Sequence, residues 1–237
     1  MSNSDYANQN LANVLKRIEQ ACNSSLRTTD SVKLVGASKK QSIELISSFV
    51  DKGLKDLGEN YLQEAIDKQC LAPKLDAQWH FIGQIQSNKT KAIAKHFSWV
   101  HGVDRLKVAT RLSQHSSELN NIELNSQKTN ILIQLNPDNE DTKGGVSIQD
   151  APQLCLQIAE LDNIKLRGFM MIPQVRQDYS QQRAVFASAR TLLEQVNQTH
   201  GLDMDHLSMG MSSDLEAAIA EGSTMVRIGT DLFGARS

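Results

Sequence analysis

The chain alternates between short apolar runs and longer segments in which apolar residues recur with helical spacing. A short apolar run between turn residues predicts a buried strand, and recurrence every three to four residues predicts an amphipathic helix. Eight strands are predicted, at 33–38, 56–59, 79–83, 99–103, 130–136, 166–172, 206–209 and 225–228. Seven helices are predicted between them, at 42–52, 62–70, 88–97, 104–117, 151–160, 181–199 and 213–221.

Residues at the ends of two of these helices support the assignment. Gly53 follows an apolar helical face and is placed to end helix 42–52. Ser213, with Glu216 three residues later, fits a capping box at the start of helix 213–221. Both signals place helix ends where the hydrophobic pattern changes.

Strands that alternate with helices imply parallel pairing through right-handed crossovers. Eight such units favour a closed (β/α)8 TIM barrel over an open sheet. We expect one domain spanning residues 1–237, with a polar surface loop at 116–129. An additional N-terminal helix at 5–22 precedes the first strand, and we expect it to cover the barrel where an eighth helix would normally lie.

The composition favours a cytoplasmic protein in which any anionic ligand is held by a local site. The net charge of −2 provides no general attraction for nucleic acid or an anionic membrane. The N-terminus lacks the pattern of a secretory signal, and no apolar stretch is long enough to span a membrane. Cys22, Cys70 and Cys155 are expected to be free, buried thiols, and no spacing of metal ligands is apparent.

Lys39 is the first candidate site residue, because it directly follows the apolar strand 33–38. In a barrel of this type the active face lies where strands end and loops begin. A desolvated amine at that mouth would have a lowered pKa and would be a nucleophile towards an aldehyde. The alternative is an ordinary solvated lysine at the start of a loop.

The loops after the seventh and eighth strands form the second candidate feature, a phosphate site. They contain glycines and hydroxyl groups at Gly210, Ser212, Ser213, Gly229 and Thr230. Glycines let backbone N–H groups approach phosphate oxygens, and the predicted helix at Ser213 would add its positive end. The alternative is that the serines only cap this helix.

Arg227 is the third feature, because it lies within the apolar strand 225–228. A charge inside a barrel strand is costly unless it is paired or solvated. It therefore either faces the lumen and touches a ligand, or forms a structural ion pair. An aldehyde that carries a phosphate and an aromatic nitrogen would use all three features.

Several ordered segments resemble one known family, the pyridoxal phosphate homeostasis proteins, which share the fold type III barrel of alanine racemase. The matching segments cover nearly the whole chain and include 35–39, 58–64, 79–83, 86–89, 207–212 and 226–230. The resemblance implies that the chain binds pyridoxal 5'-phosphate (PLP). It implies seven cofactor-binding residues: Lys39, Asn60, Met171, Ser212, Arg227, Gly229 and Thr230.

The resemblance also implies a role for each group. Lys39 would hold the PLP aldehyde as a Schiff base, and Ser212, Gly229 and Thr230 would hold the phosphate. Arg227 would lie near the pyridine nitrogen, which an arginine leaves unprotonated, so that the ring is a weaker electron sink. Asn60 and the Met171 segment would line the mouth.

The implied function is intracellular PLP (vitamin B6) homeostasis, carried out without catalysis and with PLP-dependent apo-enzymes as recipients. The alternative is a PLP-dependent amino-acid racemase, which needs a second acid/base group facing Lys39. Tyr61 is the one tyrosine near the mouth, although it more simply begins a helix. A monomer is expected, because no long apolar surface stripe demands a partner.

Two further points remain open. A phosphate-sugar enzyme that uses a lysine Schiff base would need an acid/base group such as Glu59 or His80. His80 is expected to be a buried structural residue, and it would face the helices if Phe81 faces the lumen. The Lys-x-Lys-Pro pattern of many family members is replaced by Lys39 followed by Lys40 and Gln41. Some family members carry further lysines at their extreme C-terminus, where this chain has Arg236 and Ser237. If those lysines hold a second, looser pool of PLP, that role would fall here to Lys143 or Lys40, or be missing.

Overall fold

The computed structural model describes residues 2–120, 128–140 and 143–234, and it contains a closed parallel barrel with its strands in sequence order. The strands are β1 (Lys33–Ala37), β2 (Asp56–Glu59), β3 (Gln78–Phe81), β4 (Trp99–Val103), β5 (Thr129–Leu135), β6 (Ile164–Met171), β7 (His206–Ser208) and β8 (Met225–Ile228). The barrel closes through parallel pairing of β1 with β8, in which Leu34 lies opposite Val226. The predicted barrel is confirmed, and every strand end lies within two residues of its prediction.

Helices surround the barrel. They are α1 (Asn3–Ser24), α2 (Ile43–Asp51), α3 (Leu62–Leu71), α4 (Thr90–His96), α5 (Leu106–Asn120), α6 (Ala151–Ala159), α7 (Tyr179–His200), α8 (Leu215–Ala220) and α9 (Thr230–Phe233). The N-terminal helix α1 packs against α2, α8 and α9 through a buried face that includes Leu11, Val14 and Ile18. It therefore covers the side of the barrel that the sequence assigned to it.

The structure corrects the prediction for the start of α8. The helix begins at Leu215, and Asp214 rather than Ser213 occupies the capping position. Asp214 makes no capping bond; its carboxylate accepts a hydrogen bond from the Met211 backbone at 2.6 Å. The expected capping box is therefore wrong, because Asp214 fastens the preceding loop. The short helix α9 was not predicted either.

Two smaller predictions are also corrected. Helix α5 continues to Asn120, so the first part of the expected loop 116–129 is helical, and 121–127 lie outside the described residues. Ser116 is buried in this part of the helix, and its hydroxyl lies 3.0 Å from the hydroxyl of Thr129. This contact with β5 stabilises the extended end of α5. Cys22 and Cys155 are buried as expected, whereas Cys70 is exposed.

The apolar core has two parts. Most of it lies between the barrel and the helices, and a smaller cluster of Val35, Trp99, Leu132, Met170 and Met225 fills the lumen from five different strands. Together these clusters pack the barrel strands on both faces. No helix in the described part of the chain is long and apolar enough to cross a membrane.

Polar side chains also enter the lumen, and they correct the orientation expected for β3. Phe81 packs outwards against Phe97, with ring centroids 5.2 Å apart. His80 is fully buried and faces inwards, where it stacks on Trp99 at 5.7 Å and contacts His101. His80 is therefore buried as expected, but it faces the lumen and not the helices.

Candidate functional site

A cavity of about 400 Å³ opens where the strands end, and we call it the mouth cavity. Six of the seven predicted site residues line it: Lys39, Asn60, Ser212, Arg227, Gly229 and Thr230. They come from the ends of β1, β2 and β8 and from the loop after β7, which are distant in sequence. Barrel closure is what brings these segments together.

The backbone that carries Lys39 is fastened by a buried ion network. Lys68 on α3 donates from Nζ to the Ser38 carbonyl at 2.8 Å and to Glu59 Oε1 at 2.7 Å. The Ser38 hydroxyl donates to the same Glu59 oxygen at 2.7 Å. Lys68 Nζ also donates to Glu64, whose carboxylate accepts from the Lys40 backbone N–H. The turn around Lys39 is thus held on both sides.

Burial raises the pKa of Glu59, which is completely inaccessible to solvent. Glu59 pairs with Lys68 at 2.7 Å, and it does not line the mouth cavity. Sequence reasoning missed Lys68 as a site residue. The available signal was its i,i+4 spacing from Glu64 on a helix that follows the strand end at Glu59.

The loops after β7 and β8 are joined by Arg17 of α1. Its guanidinium pairs with Asp231 and, at 2.8 Å, with Glu216, and it donates to the Ser212 carbonyl at 2.9 Å. The Asp231 backbone N–H donates a long bond of 3.4 Å to the Ser212 hydroxyl. The expected contribution of a helix end at Ser213 is not met, because α8 is only six residues long and starts later.

Arg227 faces the lumen and ends at the mouth cavity. It donates from Nη1 to the carbonyl and hydroxyl oxygens of Ser208 at 2.6 and 2.7 Å, and from Nη2 to the Met171 carbonyl at 2.9 Å. Burial lowers the pKa of Arg227 to about 10, which leaves it charged at neutral pH. Among the described residues it forms no ion pair, so the structural ion pair considered above is absent there.

Asn60 and Met171 differ in what they give the site. Asn60 lines the cavity, and its side-chain oxygen is buried without a hydrogen-bond partner. The Met171 side chain packs into the core between barrel and helices instead of lining the mouth. The expectation for its side chain is therefore wrong; its carbonyl oxygen, which orients Arg227, is its contribution.

Other candidate residues lie outside the mouth cavity. Tyr61 immediately precedes α3, is half exposed, and lines a neighbouring cavity of about 480 Å³. Lys143 pairs with Glu140 at 2.6 Å. A larger cavity of about 830 Å³ lies at the opposite end of the barrel, beside Lys33 and Asp56, and we call it the base cavity. It holds none of the predicted site residues.

The fold and the site define a class of protein. Residues 9–237 match the family model described as alanine racemase, N-terminal domain. The described residues contain no cluster of histidine, cysteine and acidic side chains that could hold a metal ion. The class is therefore that of alanine racemase-type barrels.

Curated relatives narrow this class. A protein of Pseudomonas aeruginosa named pyridoxal phosphate homeostasis protein is 46% identical over 228 residues, covering 96% of this chain and 95% of that protein. The protein of the same name from Escherichia coli K12 is 40% identical, with the same coverage. The chain belongs to the pyridoxal phosphate homeostasis protein family.

Solved structures agree with this assignment. The structure of PipY from Synechococcus elongatus PCC7942 with PLP bound superposes with a TM-score of 0.79 and 33% identity, covering 92% of this chain and all of that one. An alanine racemase from Clostridium difficile 630 superposes with a TM-score of 0.75 at 14% identity, covering 98% of this chain and 57% of the racemase. That second likeness shows the shared barrel alone.

Proposed function

We propose that the chain binds PLP in the mouth cavity, with the aldehyde held covalently by Lys39, and serves intracellular PLP homeostasis. The observation that carries this proposal is the convergence of Lys39, the buried guanidinium of Arg227 and three hydroxyl-bearing residues, Ser212, Ser213 and Thr230, on one cavity of about 400 Å³. A cavity of this size suits a small cofactor. The names of the relatives and the PLP-bound neighbour support the same ligand.

The residues present fit this ligand. The unpartnered Asn60 oxygen is an unmet acceptor in the cavity wall, which a bound polar group can satisfy. An added Cβ at Gly229 would lie 3.4 Å from the Ala37 carbonyl oxygen, which is ordinary van der Waals contact, so this wall would also accept a small side chain.

Each residue has a proposed task. Lys39 supplies the amine, Ser212, Thr230 and the Gly229 backbone hold the phosphate, and Arg227 lies against the ring nitrogen. PLP supplies an aldehyde and an electron-withdrawing ring. A permanently charged arginine donates a hydrogen bond and retains its proton, which limits that withdrawal.

We further propose that the chain carries PLP without turnover. Among the described residues lining the mouth cavity, the ionisable side chains are Lys39, Arg227 and Asp231. Asp231 is paired with Arg17, and Arg227 is fixed by three hydrogen bonds, so a second acid/base group opposite Lys39 is not evident within this lining. The proposal includes one domain over 1–237, a cytoplasmic monomer, and apo-enzymes as recipients of PLP.

The test combines binding with chirality. Purified protein is incubated with PLP, then with each common L- or D-amino acid, and the enantiomer ratio is followed. We expect retained PLP and an unchanged ratio; racemisation would establish the alternative, a PLP-dependent racemase. Lys39→Gln should abolish covalent retention, and the matched neighbour Lys40→Gln should retain it.

A further inference from the structure

The barrel lumen contains a continuous line of five hydrogen-bonding side chains. Asp56 Oδ1 lies 2.8 Å from His80 Nε2, and His80 Nδ1 lies 3.0 Å from His101 Nε2. His101 Nδ1 lies 2.9 Å from Ser208 Oγ, which accepts from Arg227 Nη1 at 2.7 Å. Asp56 lines the base cavity and Arg227 lines the mouth cavity, so the line runs the length of the lumen.

The acidic end sets the direction of these bonds. Burial disfavours the charge of Asp56, but His80 and Lys33 outweigh burial and lower its pKa. An ionised carboxylate only accepts, so His80 carries its proton on Nε2. Burial lowers the pKa of His80, which keeps this ring neutral. Its Nδ1 is then an acceptor, and His101 must donate to it from Nε2.

The same reasoning continues to the mouth. Burial holds the pKa of His101 well below its usual range, and the positive charge of Arg227 acts in the same direction. Neutral His101 with its proton on Nε2 has an acceptor at Nδ1, which takes the Ser208 hydroxyl proton. The Ser208 oxygen then accepts from Arg227. Every donor in the line points away from the mouth and towards Asp56.

We propose that Asp56, His80, His101 and Ser208 are positioning residues for Arg227, forming a one-way chain of donors that fixes its guanidinium. Arg227 has no ion-pair partner among the described residues, and Asp214 is the acid whose field reaches it. Hydrogen bonds in a chain polarise one another, so the Asp56 carboxylate makes Ser208 a stronger acceptor. The guanidinium is thus oriented before any ligand arrives.

The effect of this chain on PLP binding rests on the proposed function, but the orientation of Arg227 in the ligand-free protein does not. The first measurement therefore uses ligand-free protein and NMR with ¹⁵N-labelled histidine and arginine. We expect His80 and His101 as neutral Nε2–H tautomers at pH 7, and slow rotation of the Arg227 guanidinium. A protonated ring, or an Nδ1–H tautomer at either position, would overturn the one-way chain whatever the ligand.

The second measurement links the chain to binding. Ser208→Ala should speed rotation of the Arg227 guanidinium and shift the absorption maximum of bound PLP. It should also weaken PLP binding about tenfold, by analogy with the lower end of the loss seen when a residue that orients a metal ligand is removed. Ser223→Ala is the matched control, because Ser223 is equally buried but bonds only to backbone carbonyls of Leu207, Met209 and Met225. Its spectrum and affinity should stay unchanged.

A variant at the Asp56 end of the chain provides a second test in case Ser208→Ala fails to fold. Asp56→Asn preserves shape and removes the charge, and it should move rotation and spectrum in the same direction as Ser208→Ala, with about threefold weaker binding. Asp76→Asn is the control, because Asp76 pairs with Lys55 at the same end of the barrel. It should leave guanidinium rotation, the PLP spectrum and PLP binding unchanged. Wild-type-like rotation and spectra in both chain variants would overturn the proposal. Absence of PLP binding in the wild type would refute the proposed function, and the ligand-free NMR would still decide the chain.

Discussion

Lys68 Nζ donates a 2.8 Å hydrogen bond to the carbonyl oxygen of Ser38, the residue directly before Lys39. The same ammonium group neutralises Glu59, which ends the neighbouring strand. One buried cation therefore ties two strand ends together beneath the residue that we assign to the cofactor. The support for Lys39 therefore comes from helix α3 as well as from the neighbouring strand β2, to which Ser38 also bonds.

Replacing Lys68 tests this support. Lys68→Met leaves Glu59 buried without its counter-ion, which should lower the free energy of unfolding by about 3–5 kcal/mol in urea titrations. Lys55→Met is the control, since Lys55 pairs with Asp76 at the exposed surface and should change stability by less than about 1 kcal/mol. Equal, small effects of both substitutions would contradict a buried ion network under Lys39.

The division of the mouth cavity into a phosphate side and a ring side can be tested with pyridoxal, which lacks the phosphate. Ser212→Ala and Thr230→Val should weaken PLP binding about tenfold while leaving pyridoxal binding nearly unchanged, because they remove donors to phosphate. Arg227→Gln should weaken both ligands alike. Competition measurements follow the PLP-to-pyridoxal affinity ratio, and a ratio unchanged by Ser212→Ala and Thr230→Val would remove these two residues from the phosphate side.

His206 should make the fold acid-sensitive. Burial lowers the pKa of His206 to about 4, and its Nε2 accepts a hydrogen bond from Arg167 at 2.7 Å. Because the folded pKa lies below the unfolded value of about 6.5, protons bind the unfolded chain first. The stabilisation is complete above that value and is lost as pH falls towards 4.

The loss attributable to His206 should be on the order of 2 kcal/mol, allowing for its partial exposure. Urea titrations between pH 7 and 4.5 would measure it. His206→Gln should flatten the decline in stability, whereas exposed His200→Gln should leave it unchanged. The same slope in wild type and His206→Gln would exclude this residue as the source.

Much of the barrel could be predicted from the sequence because each strand is an apolar run followed by a helix-forming segment. The ends of elements were harder where side chains act at long range. Asp214 looked like part of a helix cap beside Ser213, but its partner is the Met211 backbone within the loop. The hydrophobic pattern alone does not show whether Asp214 caps the helix or bonds within the loop.

The site was predictable where it depends on strand ends, as for Lys39 and Arg227. It was not predictable where it depends on which face a residue presents. His80 and Phe81 are both compatible with either face in a four-residue strand, and contacts with Asp56 of β2 and His101 of β4 place His80 in the lumen. Lys68 was missed because its role comes from contacts across the fold, with Ser38 and Glu59.

The central claim is that Lys39 holds PLP covalently. The most direct measurement is borohydride reduction of the PLP-loaded protein followed by peptide mass mapping. We predict a single phosphopyridoxyl group on the peptide containing Lys39, together with loss of the visible absorption band of lysine-bound PLP. Modification that falls mainly on Lys40, Lys143 or another lysine, with Lys39 unmodified, would contradict the account.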